Sequence, residues 1–254
     1  MNNVSFSYNP GIALEVLSDI NITFPKGKIT AIIGSSGSGK TTLIKMLLGF
    51  YQPNSGKISI GDKLLNSFNL NIWRSYCGTV LQDGYIFSDT ITFNVTLENT
   101  ITNIERLELA LYIANISDFI KELPLGLNTQ IGVEGIGLSQ GQKQRILIAR
   151  SIYKNPLFLF FDEATNSLDA NNEKIINTRL QEFYKKGQCT WENKSFVHDR
   201  TVIIVAHRLS TVRNADQIVV IEKGKIVEIG THQELIKNNG RYLELVGDQL
   251  DLDA

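Results

Sequence analysis

Gly34-Ser35-Ser36-Gly37-Ser38-Gly39-Lys40-Thr41 constrains this chain more than any other stretch. It matches G-x-x-x-x-G-K-[ST] and sits between a buried-strand pattern, Lys28 to Ile33, and a helical pattern from about Lys40 to Leu48. The glycines let the backbone curl so that successive N–H groups point at phosphate oxygens. The helix N-terminus adds unpaired donors and partial positive charge. Lys40 is expected to neutralise the β- and γ-phosphates and the Thr41 hydroxyl to hold Mg²⁺. A Gly/Ser loop with a chance lysine is the plain alternative; a strand before it and a helix after it, both in register, argue against that.

Strand, loop and helix in this order belong to an α/β fold, and the rest of the chain alternates in the same way. Lys57 to Ile60 reads as a short strand followed by a Gly61-Asp62 turn, and Gly78 to Leu81 as another strand. From about Asp83 to Gln144 the strand signal fades. There Phe93 to Leu97, Ile104 to Ile113 and Ser117 to Leu123 read as short helices. Residues 83–144 are therefore expected to form a helical lobe inserted in an α/β core of residues 1–82 and 145–254. A helix is expected over Ser139 to Tyr153, then strands at Leu157 to Phe161, Thr201 to Val205, Gln217 to Ile221 and Lys225 to Ile229. The last two flank Glu222-Lys223-Gly224, a hairpin turn, and Thr231 to Lys237 and Arg241 to Leu250 read as closing helices.

Composition narrows the partners. Apolar residues make up 43% of the 254 positions and charged residues 20%, as in ordinary globular chains. Lys plus Arg number 25 against 26 Asp plus Glu, so no global basic field draws in nucleic acid. No apolar run approaches the roughly 18 residues of a membrane span. Met1-Asn2-Asn3-Val4-Ser5 lacks the basic-then-apolar pattern of a signal peptide. Two distant cysteines, Cys77 and Cys189, form neither a disulfide framework nor a zinc spacing and suit a reducing compartment. Asn94-Val95-Thr96 is read as a coincidental glycosylation triplet.

Leu157-Phe158-Leu159-Phe160-Phe161-Asp162-Glu163 ends an apolar strand in two carboxylates. Ligands of open α/β sheets sit beyond the carboxyl ends of strands. Asp162 is thus expected to reach Mg²⁺ through a water, and Glu163 to polarise the water that attacks the γ-phosphate. A polar turn ending a strand is the plain alternative, but metal holder and base are what a phosphate loop still lacks.

Leu138-Ser139-Gln140-Gly141-Gln142, just upstream of the acidic pair, completes a resemblance. With the phosphate loop it resembles the nucleotide-binding domain of ATP-binding cassette (ABC) transporters, over nearly the whole chain and with the motifs in order. The fold so implied is a P-loop NTPase (RecA-like) core with an antiparallel β subdomain and an inserted α-helical lobe. The resemblance implies ATP and Mg²⁺ as ligands, held by Gly34, Ser35, Ser36, Gly37, Ser38, Gly39, Lys40, Thr41 and Thr42. Tyr8 looks like the aromatic that stacks on adenine, though by itself it reads as an exposed strand tyrosine. Gln82 looks like the Q-loop glutamine that contacts Mg²⁺, and Ser167-Leu168-Asp169 like the D-loop that meets the opposite subunit. His207, in Val205-Ala206-His207-Arg208-Leu209, looks like the switch histidine that touches the γ-phosphate.

Ser139 and the N–H groups near Gly141 and Gln142 open a helix, which makes an anion site and also an ordinary N-cap. In the family that site faces the γ-phosphate bound by the other subunit. The resemblance therefore implies a homodimer that sandwiches two ATP head to tail and loosens on hydrolysis. It also implies a transmembrane domain, fused or separate, and a place on the cytoplasmic side of the membrane.

Asn69 to Arg74, Ile86 to Ile91, Ala206 to Val212 and Gly230-Thr231-His232 resemble the exporter branch. Gln82 to Asp89 is similar to peptidase-containing, bacteriocin-type exporters, which would make the cargo a peptide. Three features depart from the family. Gln140 replaces the first signature glycine. Val133 stands where exporters usually have glutamate, with Glu134 one position later. Lys185 to Arg200 is long for a helix-to-strand connection and is read as a surface insertion. A non-transport ABC ATPase of DNA maintenance or translation is the competing function, without a coiled-coil insertion or tandem cassette to support it. A nucleotide-responsive module without turnover is a third, opposed by the full set of Lys40, Asp162, Glu163 and His207.

Overall fold

The computed structural model describes residues 1–9, 15–101, 103–185, 187–188, 195–196, 199–206 and 209–252; for 187–188, 195–196, 209–210 and 248–252 it describes the backbone. The chain forms two compact units, one of Met1–Arg74 with Thr201–Ala254 and one of Ser75–Arg200.

In the first unit, Ile29–Ile33 is buried along its whole length. It lies between two parallel neighbours, with Val202 opposite Ile29 on one side and Gln217 opposite Thr30 on the other. A strand covered on both faces needs no polar alternation, so the β-branched run Ile29-Thr30-Ala31-Ile32-Ile33 suits it. Lys225–Gly230 closes the other side of Gln217–Glu222 as an antiparallel hairpin. Lys223 and Gly224 both have positive φ (46° and 76°), the signature of the turn that matches strand twist. A second, antiparallel sheet runs Leu17–Ile20, Asn2–Phe6, Ser55–Lys57. The expected single strand over Lys57 to Ile60 is two, Ser55–Lys57 and Ser59–Ile60. Gly56, at φ 80°, carries the first, and buried Ile58 separates them.

The helix after the phosphate loop, Lys40–Leu47, is finished by side chains from further along. Trp73 Nε1 donates to Leu47 O (3.0 Å), and Arg74 donates to Leu48 O (3.1 Å) and Gly49 O (3.0 Å). These bonds satisfy carbonyls that the helix end leaves unpaired, and Arg74 places positive charge at the negative end of the dipole.

In the second unit, Cys77–Val80 and Phe158–Asp162 pair in parallel, Val80 opposite Phe161. Helices Ile91–Thr96 and Ile104–Ile113 both pack on Gln140–Tyr153. The expected α/β class, the antiparallel β elements and the run of short helices are borne out. Helix Ala170–Tyr184, to which the sequence reading assigns no element, is N-capped by Asp169. It buries Ile176, Leu180, Phe183 and Tyr184, the spacing of one helical face.

One expectation fails. Arg200 does not belong to a surface insertion: it is 5% exposed. It donates to Pro156 O, Phe183 O and Asn155 Oδ1, and stacks 3.7 Å from the Phe183 ring centroid. Three acceptors and an aromatic face together hold a guanidinium in the core, where burial lowers its pKa to about 10. Cys189, Trp191 and His198 lie outside the described residues.

Candidate nucleotide site

The first unit carries the phosphate loop. Gly34, Gly37 and Gly39 have φ of 152°, 75° and 102°. A Cβ on Gly34 would run into the Ile221 carbonyl oxygen, and one on Gly39 would lie 2.6 Å from Leu17 Cδ2. The loop is therefore packed against the hairpin strand Gln217–Glu222 at Gly34 and against strand Leu17–Ile20 of the antiparallel sheet at Gly39, while Ser35, Ser36 and Gly37 stand exposed. The hairpin turn braces it, Gly224 N–H donating to Ser38 O (3.2 Å).

Lys40 is only 6% exposed, and its Nζ donates to Gly34 O (2.9 Å) and Ser35 O (2.8 Å). The ammonium thus sits inside the loop, where a phosphate would be ringed by its charge. Ser38 Oγ is buried and has no hydrogen-bond partner among the described residues. Gly39, the N-cap of Lys40–Leu47, contributes no side-chain cap, so the first-turn N–H groups are left to a ligand. Thr41 is half-buried beside them and Thr42 is buried.

Tyr8 follows strand Asn2–Phe6 and is 51% exposed. Its ring meets Phe6 and Tyr51 edge-on, at centroid distances of 5.1 and 5.3 Å. Its hydroxyl pairs with Thr42 Oγ1. The sequence reading missed Tyr51 and the Tyr8–Thr42 bond, for which no local pattern exists.

The second unit carries the acidic pair and the signature. Asp162 ends its strand with 1% exposure, whereas Glu163, the next residue, is half-buried with φ 55°. Left-handed backbone at a non-glycine residue is uncommon and clusters at functional turns. The parallel pairing of Phe161 with Val80 brings the exposed Gln82 to the same strand ends as Asp162. A buried carboxylate beside a side-chain amide is an oxygen donor set that suits a hard divalent cation.

Ser139 caps helix Gln140–Tyr153, and Gln142 reciprocates: Gln142 N donates to Ser139 Oγ (3.2 Å) and Ser139 N to Gln142 Oε1 (2.8 Å). Gln142 therefore has a structural task. Gly141 lies against the D-loop, since a Cβ there would be 3.2 Å from Ser167 O. From the same helix Gln144 Nε2 donates to Glu163 O (3.3 Å). Asp169 caps Ala170–Tyr184, and the side-chain and backbone hydrogen bonds from Asn172 hold its carboxyl below the usual range. The second unit thus gathers Gln82, Asp162, Glu163, the signature and the D-loop. His207 lies outside the described residues.

A buried link fixes the stretch after Gln82. Asn94 is 0% exposed, accepts from Phe87 N (2.8 Å) and donates to the carbonyls of Phe87 and Thr90. Arg150 of the signature helix donates to Asn94 O (2.6 Å) and Tyr85 O (2.8 Å), and burial lowers its pKa to about 10. An asparagine buried in this way is no glycosylation acceptor.

A profile described as "ABC transporter" matches residues 17–166. The chain is 43% identical over 244 residues to the exotoxin translocation ATP-binding protein PaxB of Pasteurella aerogenes, covering 96% of this chain and 32% of that protein. It is 43% identical over 246 residues to ABC transporter B family member 13 of Arabidopsis thaliana, covering 97% and 19%. Among solved structures, a bacterial Atm1-family ABC exporter with ATP bound superposes with a TM-score of 0.87 at 35% identity, covering 98% of this chain and 41% of that one. The chain thus spans between about a fifth and two fifths of the length of these relatives.

Proposed function

This chain belongs to the ABC transporter family, and from that premise we propose that it is the ATP-binding and ATP-hydrolysing motor of an exporter. The observation that carries the reading is the split between two adjacent carboxylates. Asp162 is sunk at the end of its strand, where a metal can be held, and Glu163 is turned outward by its left-handed backbone, where a water can be oriented.

In this reading Gly34 to Thr42 wrap the phosphates, Lys40 balances their charge, and Tyr8 stacks on the base. Thr41, Gln82 and Asp162 hold Mg²⁺, which shields the negative charge of the transferring group. Glu163 orients the water. The water oxygen forms a bond to the γ-phosphorus as the bond to the β,γ-bridging oxygen breaks, and that electron pair leaves on ADP. The water proton passes to Glu163 and on to the released phosphate. His207 and Lys40 stabilise the charge that develops.

Ser139, Gly141, Gln142 and Asp169 serve the other copy of a head-to-tail homodimer around two ATP molecules. Residues 1–82 and 145–254 act as the α/β core and 83–144 as the helical lobe. The lobe works against a transmembrane domain on the cytoplasmic side of the membrane. Among the described residues no helix is long and apolar enough to cross a membrane itself. Two of the relatives support a membrane partner: one is named for exotoxin translocation, the other is an ABC exporter. The wording of Gln82 to Asp89 favours a peptide as the cargo.

Glu163→Gln tests the reading. Phosphate release at high protein concentration should drop about a hundredfold or more while ATP binding persists and the ATP-bound dimer lives longer. Unchanged turnover would remove Glu163 from its role.

A further inference from the structure

We propose that Asn166 is a positioning residue for the Glu163 carboxylate; the inference rests on the reading of Glu163 as the base. Glu163 has φ 55°, so its side chain leaves the strand direction that the preceding residues follow. A glutamate so placed has three side-chain torsions to be fixed. Asn166, three residues on, fixes both ends of the problem. Its backbone N–H donates to Glu163 O (3.3 Å) and its Nδ2 donates to Glu163 Oε2 (2.9 Å). Gln144 Nε2, from the signature helix, donates to the same carbonyl (3.3 Å).

The chemistry of the contact is specific. An ionised carboxylate only accepts hydrogen bonds, and it has about four lone-pair directions, of which the Asn166 amide takes one. The bond therefore orients the group without exhausting its capacity to accept a proton from water. A base misplaced by about 1 Å can lose on the order of a hundredfold in rate. Asparagine is suited to this work because its amide donates to Oε2 while its short side chain stays within the turn. Aspartate has the same shape but presents an acceptor and a like charge to Glu163.

The test compares Asn166→Ala and Asn166→Asp with the unaltered chain in steady-state phosphate release, each also in the Glu163→Gln background. Both variants should lower kcat, the alanine about tenfold and the aspartate more, with KM for ATP within about twofold. Neither should lower turnover further once Glu163 is glutamine. A purely structural role would instead move KM or the thermal midpoint and would act equally in both backgrounds. Normal kcat in both variants beside an inactive Glu163→Gln overturns the inference about Asn166 alone. Normal turnover of Glu163→Gln overturns the assignment of the base itself. If the aspartate variant does not fold, the alanine variant decides.

Discussion

The Tyr8 hydroxyl lies 2.9 Å from Thr42 Oγ1, and this bond ties the aromatic proposed to stack on adenine to the helix that follows the phosphate loop. Phe6 and Tyr51 meet its ring at nearly right angles, and Tyr8 remains half exposed. Tyr8→Phe keeps the ring and loses the tether, worth about 0.5–1.5 kcal/mol. Its Kd for ATP should rise about two- to tenfold. Tyr8→Ala also loses the stack, about 1–3 kcal/mol more. Nucleotide titration of both variants checks the order; equal affinity of Tyr8→Phe and the unaltered chain would show that the tether carries no weight.

The loop glycines should differ in what they tolerate. Gly37 has φ 75° but open space around its Cβ position, so Gly37→Ala meets only backbone strain of about 1–2 kcal/mol. At Gly34 the added methyl meets the Ile221 carbonyl, a backbone atom that cannot swing aside. Gly34→Ala should cost more than about 3 kcal/mol. Urea unfolding of the two variants decides, and similar losses would contradict the packing at Gly34.

Asn94→Ala should loosen the stretch after Gln82 rather than the whole unit. It strands the Phe87 N–H, two or more carbonyls and one Arg150 contact, at a cost of about 2–4 kcal/mol. Amide exchange should accelerate at Phe87 before it does in strand Phe158–Asp162. Uniform acceleration across both would sink the idea of a local pin.

Acid should weaken two helix starts. Hydrogen bonds from Asn172 depress the Asp169 carboxyl, and those from Thr231 depress that of Glu234. A carboxyl depressed in the folded state adds stability that is complete above its unfolded value, about 4, and is lost as pH falls through the folded value. The Asp169→Asn, Glu234→Gln double variant should therefore be less stable at pH 7 and show a shallower decline below about pH 4. Denaturation midpoints at pH 7 and pH 3 measure it; an unchanged slope would remove these two groups from the acid response.

Much of the site was legible because its signals are local. The phosphate loop is one run of residues whose spacing states its own backbone geometry. The signature shows its N-cap in Ser139 and Gln142, three apart, and the hairpin shows its turn in Lys223-Gly224. Helix Ala170–Tyr184 carries the same kind of local signal, with Asp169 as its cap and Ile176 and Leu180 on one face, yet the sequence reading assigned it no element. The Asn94 triplet, read as coincidental, is indeed buried, but what Asn94 does instead was not legible, because Asn-x-Thr describes only three residues and its bonds run to Phe87 and Arg150. Arg200 misled because polar neighbours in sequence hide a core lined by Pro156 and Phe183.

Sequence alone determined the family, the α/β order of elements and which residues carry charge to a phosphate, since each rests on residue type at short fixed spacing. Only the tertiary structure decided how those residues are held. The left-handed Glu163 leans on Asn166 and Gln144, Lys40 folds into its own loop, and Tyr8 hangs from Thr42. The bonds from Tyr8 to Thr42 and from Gln144 to Glu163 join partners distant in sequence and leave no periodicity to read, while those of Asn166 and Lys40 span six residues or fewer and depend on the turn the backbone takes. Chemistry is set by side-chain type; aim is set by packing.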